Sequence, residues 1–223
     1  MELIEIYIFL AALAIPGIAQ LYVMATYGRF QKKENQKGLS GYEIARKMLD
    51  KNGLEDIDIS ETKGKLSDHY DPRKKAVFLS HDVYHKKTIS SAAIAAHEVG
   101  HAIQDKQAYT FMRIRAAIFP FVSVGTKLAY GILIVGLIFS MLNLIWVAIA
   151  LVGLGLLFQL ITLPVEFNAS TTAKSELQKL NLVDPTNLPG VASVLRAAAL
   201  TYVAGVISSA LEVIRLILIF SRR

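Results

Sequence analysis

From Ala116 to Leu163 the chain is apolar almost throughout, with Lys127 as its single charge. Such a run is too long for one crossing of a bilayer, so it reads as a transmembrane helical hairpin turning near Asn143. Leu3 to about Tyr27 and about Ala197 to Phe220 are also long and apolar enough to span. The first begins with Glu2 and Glu5 and no Lys or Arg, unlike a cleavable signal peptide, and reads as a retained helix with Pro16-Gly17 as the place for a kink. The last carries Glu212 and Arg215, which sit three apart and can neutralise each other. A hydrophobic fraction of 53% and a mean hydropathy of +0.43 agree with four crossings and not with a large soluble core.

Charge sets the sidedness. The chain carries a formal net charge of +6, but no aromatic-basic motif accompanies it, so nucleic acid is not the expected partner. Most of its 24 Lys and Arg residues fall between Arg29 and Arg115. Arg29, Lys32, Lys33 and Lys37 follow the first span directly, and Arg113 and Arg115 precede the hairpin. The positive-inside rule places this segment in the cytoplasm, with Arg222 and Arg223 as a small counter-signal. The expected organisation is a transmembrane helix over residues 1–27, a cytoplasmic segment over 28–115, the hairpin over 116–163, a second cytoplasmic segment over 164–196 and a last transmembrane helix over 197–223.

Within the first polar segment Ser40 caps a helix carried by Tyr42, Ile44, Ala45, Met48 and Leu49 and ending near Asn52-Gly53. Ile57 and Ile59 alternate with polar residues as a short strand, and Lys63-Gly64 reads as a turn. Ala76 to Ser80 reads as a second strand whose free edge could pair with an extended peptide. His81 and His85 form a pair four apart. Weighed as a rival metal site, they follow a strand, show no apolar stripe and end in Lys86-Lys87, so they read as loop histidines with a substrate-cleft or surface role; His69 likewise reads as a loop residue.

The stretch Ala95-Ala96-His97-Glu98-Val99-Gly100-His101-Ala102-Ile103 carries an HExxH pattern. On a helix, residues four apart share a face, so His97 and His101 can hold one metal between two imidazoles. Glu98 lies beside that face, where a carboxylate can take a proton from a metal-activated water. Thr88, Ser90 and Ser91 offer helix caps, and the alanine run before His97 favours a helix. With no cysteine in the chain, the metal must be held by His and carboxylate. Glu166, just after the hairpin, is either a solvated interfacial acid or a third ligand from a second helix through Ala169, Ala173 and Leu177. A di-iron site fits poorly, because it needs a second Glu-x-x-His and none is present.

Together with Leu66-Ser67-Asp68-His69-Tyr70-Asp71-Pro72, Leu163-Pro164-Val165-Glu166-Phe167-Asn168-Ala169-Ser170 and Ala198-Ala199-Leu200-Thr201-Tyr202-Val203-Ala204, the motif makes the chain resemble the YugP-type neutral zinc metallopeptidases of bacterial membranes. It is more distantly similar to the HtpX-type and CAAX-prenyl-protease zincins. The resemblance implies a mainly α integral membrane protein with a zincin-like metal helix and a small α+β cytoplasmic part. It implies Zn2+ held by His97, His101 and Glu166, with Glu98 as the general base and peptide or protein substrates, membrane proteins among them. In the distant relatives the ligand Glu belongs to an E-x-x-x-D motif; here Ser170 replaces the aspartate, so Ser170, Asn168 or another group must orient a ligand histidine. Tyr202 and Arg196 are the leading candidates to stabilise the oxyanion, by residue type and by their place after the proposed ligand helix. The competing expectation is a zinc-binding membrane scaffold or regulator that cleaves nothing, attached to a membrane-protein partner.

Overall fold

The computed structural model describes residues 3–221; Glu2, Arg222 and Arg223 lie outside them. The chain is a mainly helical membrane protein with a small α+β part. Its elements are α1 (Leu3–Gln31), α2 (Gly41–Lys51), β1 (Asp58–Thr62), β2 (His69–Asp71), β3 (Ala76–Ser80), α3 (His81–His85), α4 (Ile89–Lys106), α5 (Thr110–Ile138), α6 (Leu142–Lys179) and α7 (Leu188–Phe220), the last preceded by a 3-10 turn over Pro185–Asn187. Packing divides it into two units.

One unit takes the chain up to Gln20, Thr110–Pro164 and the chain from Leu200 onward. Its helices belong to four that are long and apolar enough to cross a membrane. Large apolar side chains such as Leu3, Leu13, Phe121, Ile138 and Phe139 stand exposed, a surface suited to lipid and not to water. Inside the unit, several polar groups find partners, which matters where no water competes. Ser208 Oγ donates to the Ala12 carbonyl at 2.6 Å, and Gln159 Nε2 donates to Ser209 Oγ at 2.7 Å. Arg215 donates twice to Glu212, at 2.8 and 2.6 Å, which is the neutralising pair read from the sequence. The turn between α5 and α6 occupies Phe139 to Met141, with Ser140 at φ 54°, so Asn143 already lies in α6.

The second unit takes Leu21–Tyr109 and Val165–Ala199. Helix α2 starts with a reciprocal cap: Ser40 Oγ accepts from the Glu43 N–H at 3.2 Å, and Glu43 Oε2 accepts from the Ser40 N–H at 2.7 Å. Its stripe of Ile44, Ala45, Met48 and Leu49 is fully buried and packs on α4. Helix α4 runs through the middle of this core. Thr88 caps it, accepting from the Ser91 N–H at 3.1 Å, and Ala92, Ala93, Ala95, Ala96 and Val99 are fully buried. Small side chains on several faces let neighbouring elements close around the helix, so its register is held all round.

The sheet corrects two readings. Its order is β1-β3-β2, with β1 parallel and β2 antiparallel to β3. β3 is therefore the central strand and has no free edge. The three residues His69–Asp71 turn back onto it, pairing His69 with Phe78 and Asp71 with Ala76. Burial of Ala76, Val77, Leu79 and Ser80 fits a strand flanked on both sides. His69 accordingly opens a strand, and His81 and His85 bound a short helix; none is a loop residue.

A second difference concerns the end of the hairpin. The sequence ends the hairpin at 163, whereas its second arm runs on through Pro164 to Lys179 as α6. A proline inside a helix removes one N–H donor, a loss that apolar helices accommodate when packing holds the turns on either side. Here Val165, Ala169, Ala173 and Leu177 are all fully buried, which keeps the helix on course.

Candidate metal centre

His97 and His101 project from one face of α4, with ring centroids 4.8 Å apart in an edge-on arrangement. Glu166 comes to them from α6. Its Oε2 lies 3.3 Å from His97 Nε2 and 3.5 Å from His101 Nε2. The three side chains are 13, 11 and 2% exposed. Zinc bonds of about 2.0–2.1 Å place neighbouring donors of a tetrahedron roughly 3.3 Å apart, so these separations fit zinc. The donor set of two imidazole nitrogens and a carboxylate oxygen fits it as well.

The close approach of α6 depends on Gly100. A Cβ at that position would lie 2.7 Å from the Ala169 carbonyl oxygen. Only a residue without a side chain lets the two backbones come this near, and Glu166 stands one turn before Ala169.

Both imidazoles are oriented from behind. His101 Nδ1 lies 2.9 Å from Gln104 Oε1, while Gln104 Nε2 donates to the Val165 carbonyl and to Asn168 Oδ1, both at 2.8 Å. With both amide protons so directed, the Gln104 oxygen faces His101. The imidazole then carries its proton on Nδ1 and turns the Nε2 lone pair toward Glu166. Ser170 Oγ, 3.2 Å from His97 Nδ1, plays the matching part for the other ring. The sequence points to Ser170 and Asn168 as candidates for this role. It does not point to Gln104, although positions 97, 101 and 104 form one helical stripe that could have revealed it.

The electrostatics ask for a cation. Burial alone would depress the His101 imidazolium, but its contact with Glu166 and the charge of Glu98 raise its pKa above the ordinary histidine value. The group gains from a positive charge at its centre, whether carried by a proton or a metal ion. Burial pushes the Glu98 carboxyl up; the two histidines pull it down, and Asp68 and Glu166 push it up again. Glu98 is 7% exposed and holds a proton more readily than a surface glutamate does. Asp68 also escaped the sequence reading. Its carboxylate accepts from the Ser80 N–H at 2.6 Å and from Ser80 Oγ at 3.1 Å, tying the approach to β2 onto the end of β3.

The hydrogen bonds that fix the two imidazoles involve neither Arg196 nor Tyr202. Arg196 is exposed on α7, and Tyr202 stands 39% exposed further along that helix, within the apolar unit. His81 and His85 belong elsewhere, facing Glu61 on β1.

Residues 5–221 match the model of the family described as "Putative neutral zinc metallopeptidase". The chain is 41% identical over 215 residues to the "Putative membrane protease YugP" of Bacillus subtilis (strain 168), with 96% of each chain covered. No solved structure matches it. With the family model spanning nearly every residue and a relative this similar end to end, the chain belongs to the family described as "Putative neutral zinc metallopeptidase".

Proposed function

We propose that this protein is a zinc-dependent endopeptidase embedded in the membrane, with its active site on the cytoplasmic side. The observation that carries the reading is the buried meeting of His97 Nε2, His101 Nε2 and Glu166 Oε2, with the desolvated Glu98 beside them. Bound there, zinc would lower the pKa of a water towards about 7 and polarise a substrate carbonyl. Glu98 takes the proton of the attacking water and passes it to the departing amine. Its raised proton affinity suits both halves of that transfer, since the proton must be held and then surrendered. Gln104 and Ser170 keep the imidazoles in one orientation throughout.

A peptide that adds as a strand to this sheet would pair with the outer edge of β1 or β2, because β3 is paired on both sides. The β2 edge is the better candidate, since Tyr70 on β2 donates to Asp105 on α4, the helix that carries both histidines, at 2.9 Å. The cytoplasmic assignment rests on the Lys and Arg residues flanking the first and second spans.

Metal analysis and proteolysis of an unfolded protein substrate, run on the detergent-solubilised chain, test the reading. The wild type should carry zinc and cleave. Glu98→Gln should keep its zinc while hydrolysis falls by roughly two to four orders of magnitude. A wild type that carries zinc and cleaves nothing would overturn it in favour of a zinc-binding scaffold, and full activity in Glu98→Gln would overturn the role of Glu98 as the base.

A further inference from the structure

The surface of the α+β unit repeats the donor set of the buried site. His81 and His85 sit four apart on α3, and their ring centroids are 4.8 Å apart, the separation also found for His97 and His101. A carboxylate from another element meets both: Glu61 on β1 places Oε1 2.6 Å from His81 Nδ1 and Oε2 3.1 Å from His85 Nε2. From these contacts we propose that Glu61, His81 and His85 form a second binding site for a divalent transition-metal ion of the zinc class, separate from the HExxH centre.

Three features support this site. Two imidazoles and one carboxylate are the ligands that zinc, nickel and copper share. The donors come from two elements, β1 and α3, so they converge through the fold and not through sequence proximity alone. The remaining acid of α3, Asp82, is already occupied: it accepts from Gln31 Nε2 at 2.6 Å and pairs with Lys86 Nζ at 2.9 Å. It therefore neither competes with Glu61 nor crowds the ion.

Environment separates the two sites. His81, His85 and Glu61 are 73, 52 and 42% exposed, against 13% or less for the three buried donors. Water fills the remaining coordination positions, and the ion exchanges with solvent. The outer site therefore binds more weakly and fills only after the inner one. When filled, it clips the edge strand β1 to the helix that leads into α4.

The test uses the full chain without a polyhistidine tag, in detergent, stripped by chelator and titrated with Zn2+ and separately with Ni2+. The wild type should take up about two zinc ions per chain in two phases, and His81→Ala/His85→Ala should take up about one, with the tight phase unchanged. His97→Ala/His101→Ala should lose the tight phase and keep the weak one. Glu61→Gln distinguishes a metal site from a hydrogen-bonded trio, because the amide can still bond to the imidazoles yet weakens the second phase. Zinc in excess of the first equivalent should raise the melting temperature of the wild type but not of the double histidine variant. A single binding phase in the wild type, or a second phase that survives His81→Ala/His85→Ala, would overturn the proposal.

Discussion

Gln104 ties together both helices that form the candidate metal centre. It is 1% exposed, and its amide is engaged with His101, Val165 and Asn168 at once. Gln104→Ala would leave the His101 Nδ1 proton and the Asn168 oxygen facing a dry gap, at a cost of about 1–3 kcal/mol for each unpaired group. Zinc affinity should fall roughly 10- to 100-fold, measured by competition with a chelating dye. Unchanged affinity would mean that the amide does not orient the ring. At this scale, what could be read from sequence was what a helix period reveals. His97 and His101 announce themselves by spacing, and Glu98 by its place between them. Asp68 and Glu61 carry no such signature, because only the folding of β1, β2 and β3 into one sheet gives them their partners. The same sheet turned His81 and His85 from supposed loop residues into a pair facing a carboxylate.

Between elements, the centre depends on how closely α4 and α6 approach. Gly100→Ala introduces a Cβ that meets the Ala169 carbonyl, so the helices must part. Overpacking of this kind costs about 1–3 kcal/mol. The larger consequence is that Glu166 withdraws from the histidines, so zinc affinity should drop further than the loss in thermal stability alone would suggest. A variant that melts earlier yet binds zinc normally would refute this. The two glutamates of α6 give a paired control. Glu166→Ala should weaken zinc about as much as His101→Ala. Glu176→Ala should leave zinc in place, since that carboxylate accepts from Asn52 Nδ2 at 2.9 Å and serves the packing of α2. Equal zinc loss in both variants would mean that α6 acts only as scaffolding. Helix existence was legible throughout, from caps such as Ser40 and Thr88 and from apolar periodicity. Continuity through Pro164 and the central position of β3 were not, because both are decided by packing partners distant in sequence.

For the molecule as a whole, the first question is sidedness. In this cysteine-free chain, Lys65→Cys and Lys179→Cys should resist a membrane-impermeant reagent in intact cells, whereas Ser140→Cys, in the turn between α5 and α6, should be labelled. Labelling of Lys65→Cys without Lys179→Cys would place the two halves of the centre in different compartments and rule out the proposed site. The order of synthesis adds a further point. His97 and Glu166 are 69 positions apart, and the hairpin occupies the chain between them. A growing chain therefore displays its histidine pair and its base well before the carboxylate that completes the set. The hairpin's second arm and that carboxylate share one helix, α6, so the last ligand arrives with the arm that inserts. On the proposed reading, assembly in the bilayer thus acts as a safety catch, because a chain whose second arm is not yet made lacks the last of the three donors.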